Sequence, residues 1–170
     1  GGLSRLLSVG YVDRIVKLDY NSLYPSIILS YGIKSPIDIS GVMNALLEYI
    51  LTQREHYKEL KGEYSKKAKK IKKKIEENPN IENKEALIKE QLQYEAEAAR
   101  NDKMQLPLKI TGNGFFGSYG SGHVFPHSDI ECAEMTTCIG RMCLRLMISH
   151  FNKLGYKPIV GDSFSSDTPL

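Results

Sequence analysis

The sequence predicts an α+β fold, and three observations carry that prediction. Two short runs of β-branched and apolar residues each stop at an aspartate, Asp19 and Asp162. Between them, apolar residues recur at three- and four-residue steps along two long stretches joined by a Pro/Asn turn, the pattern of an antiparallel helical hairpin. A further helical pattern leads into the second run. The expected order is therefore strand, helix, helical hairpin, helix, strand, with both strands carrying a carboxylate at their ends.

The first strand is read from Val12, Ile15, Val16 and Leu18, interrupted by Asp13 and Arg14. Asp19 sits where the apolar run stops. Ser22, followed three residues later by Pro25, marks the start of a helix through Ile27, Ile28 and Leu29. A carboxylate at a strand end beside amides that open a helix can hold a hard cation and an anionic phosphate side by side. Taken alone, such an Asp is ordinarily a cap.

Ser35-Pro36 and Ile37 to Gly41 form a loop, with Ser40 the expected cap of the next helix. From about Val42 the pattern Met43, Leu46, Leu47, Ile50, Leu51, Tyr57, Leu60, Tyr64, Ala68, Ile71 and Ile75 is helical. Glu77-Asn78-Pro79-Asn80 ends it, because proline restricts its predecessor and cannot donate within a helix. A second helix starts near Asn83, with Ala86, Leu87, Leu92, Ala96 and Ala99 as its apolar stripe. About 35 residues at ~1.5 Å per residue make an arm of roughly 50 Å. Pro107 is expected to break or kink this helix before Lys109. Gly112, Gly114, Gly117, Gly120 and Gly122 then predict a flexible stretch. The last helix runs from Ser128 through Met135, Ile139, Met142, Leu146 and Ile148 to Gly155 as its C-terminal cap, and Tyr156 to Val160 forms the final strand.

A chain of 170 residues suffices for one domain with a sizeable core. It shows no signal peptide and no apolar run long enough to span a bilayer. Cys132, Cys138 and Cys143 fall in one predicted helix without metal-ligand or disulfide-like spacing, so buried reduced thiols are expected. A net charge of +3 does not identify a nucleic-acid binder. Lys66, Lys67, Lys69, Lys70, Lys72, Lys73 and Lys74 form a dense basic block, and Glu76, Glu77, Glu82, Glu85, Glu90, Glu95 and Glu97 come after it. Pairing of that block with the acidic second helix explains it sufficiently, with phosphate attraction the minority reading.

The stretch Asp19-Tyr20-Asn21-Ser22-Leu23-Tyr24-Pro25-Ser26-Ile27 resembles the first polymerase motif of the family B DNA polymerases. Lys109-Ile110-Thr111-Gly112-Asn113-Gly114-Phe115-Phe116-Gly117 resembles the second, and Ile159-Val160-Gly161-Asp162 the start of the third. Three collinear matches across most of the chain are strong where one would be weak. The resemblance implies a palm fragment with strand-borne carboxylates and a helical-hairpin fingers subdomain. Palm with the first motif would cover 1–40, fingers with the second 41–122, and the palm helix with the third-motif strand 123–162. The chain is too short for a whole replicative polymerase and neither end looks natural, so an internal piece is expected.

The resemblance also implies roles. Asp19, the Tyr20 carbonyl and Asp162 would hold two Mg²⁺ ions, with both aspartates catalytic. The amides of Ser22, Leu23 and Tyr24 would face the nucleotide phosphates, with Tyr24 under the sugar, where its ring leaves no room for a 2′-hydroxyl. Arg54 and Lys58 share one helix face at a four-residue spacing, and Lys109 and Asn113 repeat it, the quartet that would clamp the triphosphate. Phe116 and Gly117 would contact DNA. Phe116 stands where Tyr is usual and Gly114 where Ser is usual, so a minor-groove hydroxyl is lost while the stacking surface survives. Primer-template DNA, deoxynucleoside triphosphates and the remaining thumb, exonuclease and N-terminal domains would be partners, with no membrane. A cytoplasmic setting in a bacterial host or at a viral replication site is implied by the family alone.

After Asp162 the match stops. The third motif carries a second Asp two residues on, and that position is Phe164 in Ser163-Phe164-Ser165-Ser166-Asp167-Thr168-Pro169-Leu170. The polymerase is then degenerate, or Asp167-Thr168 substitutes through an insertion, or Ser163 begins an intein over 163–170. The last is preferred, because Ser followed by Asp-Thr resembles an intein start and Ser163 could attack its preceding peptide bond. The expected function is DNA-directed DNA polymerase, incomplete and inactive as this piece alone. The alternatives are a non-catalytic nucleic-acid-binding remnant and a protein-splicing precursor.

Overall fold

The structure, a computed structural model, describes residues 4–8, 10, 15–78 and 83–162, apart from the side chains of Arg5 and Asp162. Val12, part of the expected first strand, and Ser163 to Leu170 lie outside the described residues. The described chain is mostly helical. In order it forms β1 (Ser4–Leu6), α1 (Leu23–Ser30), α2 (Val42–Glu77), α3 (Lys84–Tyr119), α4 (Ile130–Lys153) and β2 (Val160–Asp162). No helix among the described residues is long and apolar enough to cross a membrane.

The α+β expectation holds only in its helical part. β1 and β2 form a two-stranded antiparallel sheet with Ser4 opposite Asp162, Arg5 opposite Gly161 and Leu6 opposite Val160. The predicted strand around Ile15 is not a strand: residues 15–20 are irregular, and Ile15, Val16 and Leu18 are 69%, 82% and 53% exposed. A strand needs a hydrogen-bonded neighbour, and residues 15–20 have none among the described residues: the described partner of β2 is β1. The final strand also begins later than predicted, since 156–159 are irregular.

Two compact units divide the chain, one of Gly1–Glu48 with Gly112–Leu170, the other Tyr49–Thr111. The second unit is the helical hairpin. Lys61 Nζ donates to Asp102 Oδ1 at 2.7 Å, and Tyr64 stacks on Tyr94 at 6.1 Å, which fixes α2 and α3 antiparallel there. Ala68, Ile71 and Ala98 are buried between them. The expected neutralisation of the lysine block does not occur. Among the described residues the block's one ion pair is Lys73 with Glu77 of the same helix, at 3.6 Å, while Lys67 lies 5.3 Å over the Tyr64 ring.

Several breaks and caps differ from the sequence reading. Pro107 neither ends α3 nor separates it from Gly112, Gly114 and Gly117, all of which are helical. Pro107 and Lys103 are both exposed, so water can bond the carbonyl that proline leaves without an N–H partner. Ser40 is not the cap of α2. The Asp38 carboxylate accepts from Val42 N and Met43 N, each at 3.0 Å. Gly155 does take the left-handed conformation (φ 83°) that closes α4. Of the three thiols, all on α4, only Cys132 is buried; Cys138 is exposed.

The core of the first unit gathers Ile27 and Ile28 of α1, Ile33, Leu47, Phe115 and Tyr119 against Cys132, Ala133, Thr136 and Leu144 of α4. Thr136 is fully buried yet satisfied, donating to the Cys132 carbonyl at 2.8 Å. Asp129 caps α4, its Oδ1 accepting from Glu131 N at 3.0 Å. Gly161 lets β2 lie close on α4, because a Cβ there would meet Ile148 Cδ1 at 2.9 Å.

Candidate functional site

The segment around Asp19 is held by the turn into α1. Ser22 adopts the left-handed conformation (φ 51°, ψ 53°) and leads the chain into that helix without using its own side chain as a cap. The Ser22 carbonyl accepts from Ser26 N at 2.9 Å, and Ser26 Oγ donates to the Asn21 carbonyl at 3.1 Å. Pro25 is buried in the first turn of α1, where its lack of an N–H costs nothing. Tyr20 ties the stretch to α4, donating its hydroxyl to the Cys143 carbonyl at 3.3 Å. Partial burial, and secondarily the Cys143 thiol, raise the Tyr20 hydroxyl above its usual pKa, so it remains a donor at neutral pH.

Tyr24 and Phe116 are brought together: their ring centroids lie 4.5 Å apart with planes tilted by 36°. The pair joins the first-motif turn to the second-motif end of α3. Gly140 of α4 completes this packing, since a Cβ there would approach Tyr24 Cε1 to 3.0 Å and Ile27 Cδ1 to 3.7 Å. The sequence reading missed Gly140. Its signal is a glycine inside an apolar helical pattern, which marks a close approach.

Next to these rings, the loop after α3 is bound by hydroxyls. Ser118 Oγ donates to the Phe115 carbonyl at 2.7 Å and meets His127 Nε2 at 2.8 Å. Ser128 Oγ donates to the Ser118 carbonyl at 3.0 Å. Tyr119 is 1% exposed. Burial first, with the neighbouring Cys132 thiol next, pushes its hydroxyl up to about 12. Burial likewise pushes the Cys132 thiol up to about 11, helped by the Asp129 carboxylate.

The remaining candidates are more dispersed. Asp19 is exposed on the irregular segment, and Asp162 ends β2, paired through its backbone with Ser4 rather than with the Asp19 segment. Among the described residues no group of three His, Cys, Asp or Glu side chains is placed to hold a metal ion. Ser22, Leu23, Tyr24, Asn113, Phe116 and Gly117 belong to the first unit, whereas Arg54, Lys58 and Lys109 belong to the hairpin unit. Lys58 pairs with Glu55 at 3.5 Å on its own helix, both side chains about half exposed.

Comparison with known proteins adds the family. The model of DNA polymerase family B matches residues 8–159. The chain is 29% identical over 174 residues to a DNA polymerase of Thermococcus sp. (strain 9oN-7), covering 96% of this chain and 20% of that protein. DNA polymerase 1 of Pyrococcus abyssi is 28% identical over 172 residues, again with 96% and 20% covered. A DNA polymerase alpha catalytic subunit of Dictyostelium discoideum is 29% identical over 186 residues, with 97% of this chain and 10% of that protein covered. This chain thus spans about a fifth of the length of the archaeal relatives. No solved structure matches it.

Proposed function

Because the chain belongs to DNA polymerase family B, we propose that it is the palm-and-fingers portion of a DNA-directed DNA polymerase. The single observation that carries this reading is the family match over residues 8–159, a range that takes in both the Asp19 and the Lys109 motifs. In the intact protein a primer 3′-hydroxyl attacks the α-phosphate of a deoxynucleoside triphosphate, the α–β bridging bond breaks, and pyrophosphate leaves.

Asp19, the Tyr20 carbonyl and Asp162 are hard oxygen donors, the type that suits Mg²⁺. Two such ions, when bound, would neutralise charge on the transferring phosphoryl group and favour the deprotonated 3′-hydroxyl. The chain's own groups bind and orient the nucleotide. Amides of Ser22, Leu23 and Tyr24 at the start of α1 bind phosphate oxygens, and Arg54, Lys58, Lys109 and Asn113 clamp the triphosphate. Tyr24, braced by Phe116, excludes a 2′-hydroxyl, while Phe116 and Gly117 contact the DNA. The exposed Ile15, Val16 and Leu18 suit a surface covered by the rest of the polymerase.

Primer extension by the intact protein tests this reading directly. Mg²⁺-dependent incorporation of deoxynucleotides, abolished by chelation, is expected; duplex binding without any synthesis supports the non-catalytic reading instead. Phe164 at the position of the second motif-three Asp favours an intein starting at Ser163. The intact mass of the full reading frame, compared with Ser163→Ala, decides it: only the wild type should lose an internal segment.

A further inference from the structure

We propose that the outward face of α2 between Lys66 and Lys73 binds the sugar-phosphate backbone of duplex DNA. Seven lysines occupy the nine positions 66–74, and every one of them is exposed. The two other residues, Ala68 and Ile71, are buried against α3. At 100° per residue, Lys66, Lys69, Lys70 and Lys73 project from the side of α2 opposite that core. They form a stripe about 10 Å long, enough for two adjacent phosphates of one strand.

Among the described residues the fold engages two of the seven lysines, Lys73 with Glu77 of the same helix at 3.6 Å and Lys67 over the Tyr64 ring. Lys66, Lys69, Lys70, Lys72 and Lys74 make no ion pair among the described residues, and the hairpin's cross-helix pair is Lys61 with Asp102, one turn or more away. Lys66 with Lys70, Lys69 with Lys73 and Lys70 with Lys74 are like-charged neighbours four apart, which weakens a helix. A polyanion offsets that repulsion and releases its condensed counterions. The stripe also lacks a stacking platform: the nearest aromatics, Tyr64 and Tyr94, stack on each other beneath Lys67. Single-stranded DNA is held by base stacking on open rings, so the surface suits duplex phosphates rather than unpaired bases.

The inference goes beyond the polymerase reading, because binding is read without synthesis. Fluorescence anisotropy with a labelled duplex, run from about 50 to 200 mM salt, compares the intact protein with a Lys66→Gln, Lys69→Gln, Lys70→Gln, Lys73→Gln variant. Each lost phosphate contact flattens the log–log salt slope by about 0.9, so the quadruple variant, which loses two, should be flatter by about 2. Equivalently, the wild type's advantage shrinks about 12-fold across that fourfold salt range. Lys84→Gln, Lys89→Gln, Lys103→Gln, Lys153→Gln removes equal charge from exposed positions elsewhere and should leave the slope in place. Arginine at the four stripe positions should preserve it, which separates lost contact from lost folding. An unchanged slope in the glutamine variant, or a loss confined to single-stranded DNA, overturns the stripe. Duplex binding that ignores the stripe leaves the polymerase reading standing, whereas stripe-dependent binding without primer extension does the reverse.

Discussion

Gly140→Ala is the sharpest perturbation of the packing around Tyr24. Its new Cβ would lie 3.0 Å from Tyr24 Cε1 and 3.7 Å from both Tyr24 Cδ1 and Ile27 Cδ1. Carbon atoms rest at about 3.5–4.0 Å, so the ring has to withdraw by about half an ångström or more. Two terms then compete. Replacing glycine by alanine inside a helix gains about 1 kcal/mol, and overpacking a filled site costs about 1–3 kcal/mol. The balance runs from neutral to about 2 kcal/mol destabilising. Gly62 supplies the control, since it is also helical and a Cβ there meets nothing within 4 Å. Gly62→Ala should keep the whole gain of about 1 kcal/mol, raising Tm by about 2–4 °C at this length. Thermal melting of the two variants side by side reads the difference. If Gly140→Ala rises as Gly62→Ala does, the close approach to Tyr24 is refuted. A second readout in the intact protein is the ratio of kcat/KM for deoxy- and ribonucleotides. A displaced ring changes that ratio, and an unchanged ratio in a destabilised variant refutes the link between Gly140 and the sugar.

Three further outcomes rest on the same geometry. Gly161→Ala sets a Cβ 2.9 Å from Ile148 Cδ1 and 3.4 Å from Leu144 Cδ1. It should cost about 1–3 kcal/mol, and Ile148→Val, which removes the clashing carbon, should recover part of that in a double-mutant cycle. Asp38→Ala removes the acceptor of two α2 amides and should cost about 1 kcal/mol in a denaturant melt, whereas Ser40→Ala should cost next to nothing. Tyr119 and Cys132 are acids whose pKa values are raised by burial, to about 12 and about 11 from ordinary values of 10.0 and 9.0. The folded chain therefore holds these protons more tightly than the unfolded one. Their contribution is complete below pH 9 and is lost as pH rises through 9 to 11 for Cys132 and 10 to 12 for Tyr119. Tm should fall over that window, and Cys132→Ala with Tyr119→Phe should flatten the fall.

Elements whose signals are local are legible in the sequence. The start of α2 at Val42, its end at Glu77 before Pro79, and the left-handed Gly155 after α4 all lie where pattern and turn chemistry put them. The elements that differ depend on partners distant along the chain. Ile15, Val16 and Leu18 read as strand residues, but strand formation is decided by a neighbour's hydrogen bonds, and β2 pairs with Ser4–Leu6. Pro107 reads as a break, yet α3 continues through it, with the carbonyl of exposed Lys103 open to water in place of the lost hydrogen bond. Gly112, Gly114 and Gly117 are helical against their propensity, in a turn-by-turn alternation with the buried Phe115 and Tyr119. Around the candidate site, Tyr24 and Phe116 belong to two motifs 92 positions apart, and only the fold shows their rings in contact at 4.5 Å. The lysine block misleads for another reason: composition shows acidic residues nearby, but not which way their side chains point.

The central claim is that Asp19 belongs to a nucleotidyl-transfer site. Single-turnover incorporation of one deoxynucleotide by the intact protein and by Asp19→Ala, with duplex binding measured in parallel, tests it most directly. The account predicts that Asp19→Ala binds primer-template as the wild type does but incorporates no nucleotide on the wild-type timescale. Incorporation at an undiminished rate in Asp19→Ala would contradict it.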